Sequence, residues 1–136
     1  MIRYMLDSNT CIFVMKQMTP AIVGRFNRLA AQLSISTISL GELRLGCEKS
    51  RRLVENHSVI DNFVARLTVL DFDADAARDY GQIRLALRRQ PIGPLDTLIA
   101  AHALSRDLIM VTDNVSEFKR VPGLLIENWH ARPRKL

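Results

Sequence analysis

Tyr4-Met5-Leu6-Asp7-Ser8-Asn9-Thr10 is the stretch around which the rest of this 136-residue chain is organised. Its apolar residues predict a buried strand, and an acid, small polar residues and a helical pattern from Cys11 follow it. Open α/β proteins place their ligands where the carboxyl end of a strand meets the start of a helix. We therefore expect Asp7 to belong to a functional site, and other acids to meet it at the same edge of a sheet.

Strand-like and helical patterns alternate along the remainder of the chain. We predict strands over 2–6, 33–36, 68–70, 108–111 and 124–126, and helices over 20–30, 39–49, 53–67, 73–89 and 95–105. Residues 11–15 fit a short helix or a turn. This alternation predicts an α/β fold, a three-layer α/β/α sandwich with a central parallel sheet of four to five short strands. We expect one domain over 1–136, with residues 131–136 forming a basic, frayed tail.

Composition excludes several classes of protein. With 48% hydrophobic and 24% charged residues, the chain has a globular composition and not that of a disordered protein. No apolar run approaches the roughly 18 residues of a membrane helix, and the N-terminus has no signal-peptide pattern, so we expect a cytoplasmic protein. Cys11 and Cys47 lie in apolar patterns, which predicts two reduced core thiols and no disulfide framework.

Acids recur where a strand ends or a helix begins. They are Asp7, Glu42, Asp96 and those of the segment 112–117. In a parallel sheet these junctions share one edge, so acids that are distant in sequence can converge there. The net charge of +5 also favours an anionic partner such as nucleic acid, although a basic surface without a partner is about equally consistent with it.

Each acid also has a purely structural interpretation. Asp7 and Asn114 can be helix N-caps, residues 39–42 match a capping box, and Asp96 suits the first turn of a helix. The helix dipole would keep Asp96 ionised. Caps alone, however, do not explain why the acids recur at one edge of the sheet.

Converging carboxylates repel one another unless a cation lies between them. Oxygen ligands without a Cys or His cluster suit Mg²⁺, with Mn²⁺ as the alternative. His57, His102 and His130 lack the spacing of a zinc site, and His102 lies on an apolar helix stripe that predicts a core histidine. A magnesium ion held by acids in a basic protein indicates phosphodiester chemistry.

The ordered motifs of this chain resemble those of the PIN-domain ribonucleases, and more closely those of the VapC toxins of bacterial toxin–antitoxin pairs. They are residues 5–9, 38–43, 91–96, 99–103, 111–114 and 117–118. The resemblance implies an α/β/α sandwich with magnesium-dependent endoribonuclease activity. It also implies that Asp7 and Asp96 are the main metal ligands and that Glu42 completes the pocket.

The fourth acidic position of the family falls in the turn 112–114. We align Asn114 with it, beside Asp113, which leaves open whether Asp113, Asn114 or Glu117 completes the site. On this hypothesis a metal-activated water attacks phosphorus in line and displaces the 3′-oxygen. The products would be a 5′-phosphate and a 3′-hydroxyl.

The resemblance also implies a biological role and its partners. The chain would be the toxin of a type II toxin–antitoxin system in the bacterial cytoplasm, inhibiting translation by cleaving structured RNA. A transfer RNA is the expected substrate, with the anticodon stem-loop of initiator tRNA as a candidate. The expected partners are a cognate VapB-type antitoxin and a second copy of the chain in a homodimer, within a larger assembly and without a membrane. The apolar helices at 22–29 and 39–47 are candidates for an antitoxin groove, and core packing is the alternative.

Three arginines are candidates to bind RNA phosphates. Arg84, Arg88 and Arg89 lie near the end of the predicted helix 73–89, where Arg84 and Arg88 share a face. A solvated helix face is an equally good interpretation of these residues. Binding through them would weaken steeply with salt.

Two other functions compete with the nuclease. A magnesium-dependent phosphatase-like enzyme of the haloacid dehalogenase kind would use Asp7, but it usually has a second Asp two residues later, where this chain has Asn9. A non-catalytic RNA-binding module would use the basic surface. It leaves the ordered acids unexplained.

Overall fold

The computed structural model describes residues 1–130, so the predicted tail 131–136 lies outside the described residues. Its strands are β1 (Tyr4–Leu6), β2 (Leu33–Ser36), β3 (Thr68–Leu70), β4 (Ile109–Val111) and β5 (Ile126–Glu127). They form one sheet in the order β3-β2-β1-β4-β5, and every pair is parallel. The predicted α/β fold with a central parallel sheet is therefore confirmed.

Seven helices connect these strands within residues 1–130. They are α1 (Ser8–Met15), α2 (Pro20–Leu29), α3 (Thr37–Glu48), α4 (Leu53–Val64), α5 (Ala74–Ala86), α6 (Pro94–Ser105) and α7 (Val115–Phe118). A short 3₁₀ turn, Ala30–Gln32, leads from α2 into β2. None of the helices in this part of the chain is long and apolar enough to cross a membrane.

The central strand β1 is buried on both faces, as expected of an inner strand of a parallel sheet. Because successive side chains point to opposite faces, Tyr4 and Leu6 pack with residues of α1–α4. Met5 packs on the other face with residues of α5, α6 and α7. Two apolar layers therefore cover the sheet, and only its edges are open to a polar site.

The structure corrects two helix boundaries that matter for the site. Helix α3 starts at Thr37, because the Ser36 hydroxyl accepts a hydrogen bond from the Ile38 amide at 3.1 Å. The capping box predicted at 39–42 is therefore wrong, and Glu42 lies in the second turn of α3.

Helix α5 ends at Ala86 and not at residue 89. The chain beyond it turns through a 3₁₀-type bond from the Arg88 amide to the Leu85 carbonyl, since Pro91 disfavours helical backbone just before it. Arg88 and Arg89 consequently lie in a turn, and the predicted helical face shared by Arg84 and Arg88 is wrong.

The buried polar side chains agree with the sequence. Cys11 and Cys47 are free and buried. His102 is fully buried, with its Nδ1 atom 2.7 Å from the Ser36 hydroxyl. Burial lowers the pKa of His102. The predictions of two reduced core thiols and a core histidine are confirmed.

Candidate active site

Asp7 lies at the carboxyl end of β1 and is the N-cap of α1. Its Oδ1 atom accepts a hydrogen bond from the Thr10 amide at 2.8 Å, and its Oδ2 atom accepts one from the Thr112 hydroxyl. The residue is only 5% exposed. Asp7 is thus a cap and a site residue at once, because the two donors hold the carboxylate in one orientation at the sheet edge.

Glu42 reaches the same edge from the second turn of α3. Burial raises the pKa of Glu42, the negative charge of Asp7 raises it further, and a hydrogen bond with the Ser8 side chain acts in the opposite direction. Its Oε1 atom is buried and has no hydrogen-bond partner within residues 1–130. A buried carboxylate oxygen without a donor is costly, so Glu42 favours a cation as its neighbour.

Asp96 lies in the first turn of α6 and has the most perturbed carboxyl group of the site. Burial raises the pKa of Asp96 to about 7, and Glu117, Asp7 and Glu42 contribute in the same direction. In the metal-free protein the helix dipole therefore does not keep the pKa of Asp96 low, contrary to the expectation that it would keep this residue ionised. Burial and three neighbouring acids outweigh the dipole, which is worth only about 1 kcal/mol at a surface site.

Asn114 joins Asp96 to Glu117. Its Nδ2 atom donates hydrogen bonds to Oδ2 of Asp96 at 3.2 Å and to Oε2 of Glu117 at 3.0 Å. Although Asn114 precedes α7, its side chain makes no capping bond to that helix. Bonds from Asp96, Asn114 and the Gly93 amide lower the pKa of Glu117, whereas the pKa of Asp96 is raised.

Asp113, which is also a candidate site residue from the sequence, lies beside His130 and not beside Asp96. Its side chain is 46% exposed, and its Oδ2 atom lies 3.8 Å from Nδ1 of His130. Of the three options left open by the sequence, Asn114 and Glu117 reach Asp96 while Asp113 faces away.

Sequence reasoning did not assign a role to Thr112, although its position directly after the inner strand β4 could have indicated one. The Thr112 hydroxyl donates to Asp7 and accepts a hydrogen bond from the Asn114 amide at 3.0 Å. It therefore links the first acid of the site to the turn that carries Asn114.

The donor set fits a hard divalent cation. No group of three His, Cys, Asp or Glu side chains within residues 1–130 is close enough to form a ready-made metal site. Mg²⁺, however, usually binds through one or two carboxylates and keeps several waters. The unpaired oxygen of Glu42 and the mutual repulsion that raises the pKa of Asp96 are the features that a cation would relieve.

A groove of about 570 Å³ adjoins the acids and is mostly apolar. Ser8 and Glu42 line it together with Ile12, Met15 and Val59, so it lies among α1, α3 and α4. The expectation that α3 contributes to a groove agrees with this arrangement. Helix α2 does not line it and instead packs its apolar residues into the core.

The three nominated arginines differ in their surroundings. The Nη1 atom of Arg84 donates to the Tyr80 hydroxyl at 2.7 Å, and its guanidinium lies over the Tyr80 ring. Arg88 and Arg89 instead line a second cavity, in the turn after α5. Arg84 thus points to Tyr80 and does not line this cavity, while Arg88, whose Nη1 atom donates to the Leu85 carbonyl at 2.9 Å, and Arg89 both line it.

Comparison with known proteins agrees with this geometry. Residues 4–124 match the PIN domain family model. The chain is 48% identical over 131 residues to the tRNA(fMet)-specific endonuclease VapC of Salmonella typhimurium, covering 95% of this chain and 99% of that one. It is 44% identical over 131 residues to ribonuclease VapC2 of Haemophilus influenzae, again covering 95% of this chain and 99% of that one.

Solved structures give the same result. The DNA-bound VapBC of Salmonella typhimurium superposes with a TM-score of 0.90 at 48% identity, over 95% of this chain and 99% of that one. VapBC2 of Rickettsia felis, bound to a fragment of its promoter, gives a TM-score of 0.87 at 38% identity with the same coverage. On the strength of the matched model, the relatives and the shared fold, the chain belongs to the PIN-domain family and, within it, to the VapC proteins.

Proposed function

We propose that this chain is a metal-dependent endoribonuclease that cleaves a transfer RNA and acts as the toxin of a type II toxin–antitoxin pair. The observation that carries the proposal is that Glu117, Asp7 and Glu42 lie near enough to Asp96 for their charges to raise its pKa, in a VapC protein. Because one relative is named for tRNA(fMet), the initiator tRNA is the first substrate to test. Cleavage of that RNA would inhibit translation.

PIN nucleases in general depend on a divalent metal, and we propose Mg²⁺ here, with Mn²⁺ as the alternative. Asp7 and Asp96 would hold the ion, and Glu42 would complete the pocket directly or through water. When bound, a divalent cation supplies positive charge to the phosphate and lowers the pKa of water.

The residues around these acids would orient them. Thr10 and Thr112 fix the carboxylate of Asp7, and the Asn114 amide fixes that of Asp96. In the metal-free protein the pKa of Asp96 is raised to about 7 and that of Glu117 is lowered, so Asp96 gains a proton before Glu117 does as the pH falls.

Removing divalent metal is expected to stop cleavage without releasing the RNA. The acids can no longer be neutralised, whereas the basic surface that attracts the RNA is unaffected. End-labelled initiator tRNA incubated with EDTA should remain intact, and excess Mg²⁺ should restore cuts that leave a 5′-phosphate and a 3′-hydroxyl. Cleavage at an unchanged rate in EDTA would contradict the metal assignment. RNA binding without cleavage in Mg²⁺ would favour the non-catalytic module instead.

A matched pair of variants tests which residue of the segment 112–117 serves the site. Glu117→Gln should lower the cleavage rate by about 10- to 100-fold, as expected when a partner that orients a metal ligand is lost. Asp113→Asn should leave the rate within about twofold, since Asp113 faces His130. Single-turnover cleavage of the same tRNA measures both. The reverse order of effects would reassign the fourth acidic position to Asp113.

We further propose the partners that toxins of this kind have. Two structural relatives are complexes named VapBC, which supports a cognate VapB-type antitoxin for this chain. The apolar groove beside Glu42, with Ile12 and Val59 exposed in or next to it, suits an apolar antitoxin segment. We also propose a homodimer, within a larger toxin–antitoxin assembly, in the bacterial cytoplasm.

A further inference from the structure

Three arginines line a second cavity, of about 520 Å³, between the turn that follows α5 and the end of α7. They are Arg88, Arg89 and Arg120, and the other lining residues are Ala86, Leu87 and Gln90. No acidic residue of the part of the chain that the structure describes lines this cavity. It therefore concentrates positive charge in a concave space, which attracts anions.

The backbone on both sides of this cavity is ordered by hydrogen bonds and by the core. The Gln90 amide donates to the Leu87 carbonyl at 3.0 Å, and the Arg120 amide donates to the Glu117 carbonyl at 3.1 Å. Ile92 and Phe118, which flank the two segments, are buried in the same apolar cluster. The arginines thus project from two segments that are held against each other.

These arginines have unused hydrogen-bonding capacity. Within residues 1–130, none of the three forms an ion pair with a carboxylate, and Arg88 donates from Nη1 to the Leu85 carbonyl at 2.9 Å. The Nη2 atom of Arg120 is buried and has no acceptor among the described residues. A guanidinium carries five N–H donors, so all three arginines keep donors for an anion in the cavity.

The cavity adjoins the acidic site. Arg120 lies three residues after Glu117, and its charge helps to lower the pKa of Glu117. On the opposing segment, Gly93 follows Gln90 by three residues, its amide donates to Glu117, and a methyl group on it would lie 3.5 Å from Oδ2 of Asp96. Where these two segments meet, the carboxylates of the acidic site therefore lie at one end and the arginines of the cavity at the other.

We propose that Arg88, Arg89 and Arg120 form a subsite for a backbone phosphate of the RNA that flanks the phosphate to be cleaved. Guanidinium groups suit this role because their planar donors match phosphate oxygens. The subsite rests on the proposed function, since it presumes that RNA occupies the acidic site. It replaces the grouping of Arg84 with Arg88, because Arg84 lies against Tyr80 and does not line the cavity.

The test measures RNA binding in EDTA, where the chain binds without cutting, as a function of salt. Arg88→Gln combined with Arg120→Gln should weaken binding of the tRNA at least about fivefold and reduce the slope of log affinity against log salt by about 1 to 2. The matched control is Arg51→Gln, an exposed position in the loop between α3 and α4. It carries the same charge change and should leave the slope unchanged.

Cleavage of the same tRNA in Mg²⁺ tests the nuclease function separately from the phosphate subsite. If the wild-type chain cleaves and the double variant keeps the wild-type slope, the subsite is wrong and the nuclease function stands. A larger effect of Arg84→Gln than of the double variant also overturns the subsite. If the wild-type chain binds RNA with the expected loss in the variant but never cuts, the phosphate site stands and the nuclease function fails.

Two further measurements keep the test independent of folding and assembly. Arg88→Gln alone changes an exposed side chain in a turn, so it should lower the salt slope even if loss of Arg120 impairs folding. An unchanged slope in a folded Arg88→Gln variant counts against the proposal. Light scattering that shows Arg88→Gln dissociating an oligomer would assign this surface to a contact between copies of the chain and overturn it.

Discussion

Asp96→Asn is expected to abolish RNA cleavage and, at the same time, to stabilise the metal-free protein above pH 7. The variant removes a proposed metal ligand. Loss of a residue that only orients a metal ligand already lowers activity about 10- to 100-fold, so we expect loss of the ligand itself to lower the cleavage rate more than about 100-fold. It also removes a charge that Glu117, Asp7 and Glu42 oppose. Single-turnover cleavage of initiator tRNA and chemical denaturation in EDTA measure the two effects.

The stability effect has a definite dependence on pH. The pKa of Asp96 is raised to about 7 in the folded chain from an ordinary value of 3.8, so the folded state binds more protons between these values. Its contribution to stability is present below about pH 4 and is lost as the pH rises through 7. The raised pKa of Glu42 acts in the same direction. The wild-type denaturation midpoint in EDTA should therefore fall between pH 5 and pH 8, and fall less in Asp96→Asn.

A matched control for this variant is Asp107→Asn. Asp107 is exposed just beyond the end of α6 and has a positive φ of 55°, a conformation that Asn also adopts readily. Cleavage and the pH dependence of stability should both stay close to those of the wild-type chain. Near-normal cleavage by Asp96→Asn in excess Mg²⁺ would remove Asp96 from the metal site.

Asp7→Asn should also lower the cleavage rate more than about 100-fold, because Asp7 is the other proposed metal ligand and its loss should exceed the effect of losing a residue that only orients a ligand. The fold should persist, because Asn caps helices as well as Asp does and can still accept the Thr10 hydrogen bond through Oδ1. The Thr112 hydroxyl can accept a hydrogen bond from the new amide group. Cleavage assays, together with circular dichroism and denaturation, separate loss of charge from loss of structure.

The substitution to Asn is sharper than Asp7→Ala. Alanine also deletes the cap of α1, which costs about 1 kcal/mol, and leaves the Thr112 hydroxyl without its buried acceptor. A folded Asp7→Asn variant that cuts tRNA at near the wild-type rate with excess Mg²⁺ would refute the role proposed for Asp7.

Some elements of the fold could be predicted accurately from local sequence. The strands β2 (Leu33–Ser36) and β3 (Thr68–Leu70) have the predicted bounds, because short β-prone runs between helical patterns are unambiguous there. The start of α3 could not be predicted, since Ser36 and Ser39 are both good caps. The choice of Ser36 depends on where β2 leaves the sheet, and the sheet is a tertiary structure.

The candidate site also has a part that the sequence predicts and a part that it does not. That Asp7, Glu42 and Asp96 share an edge follows from the order of strands and helices, because helices that connect parallel strands begin at the carboxyl edge of the sheet. Asn114 and Glu117, and not Asp113, reach Asp96 because of how a single turn after β4 is oriented. Local sequence does not encode that orientation.

The amino-acid sequence alone therefore determined the fold class, the edge that carries the acids and the family resemblance, since these depend on residue type and spacing. Only the tertiary structure decided the raised pKa of Asp96 and the separation of Arg84 from Arg88 and Arg89. A pKa depends on burial and on charges from several elements at once, and a cavity depends on which segments meet. The pKa and the cavity are therefore set only when folding brings distant parts of the chain together.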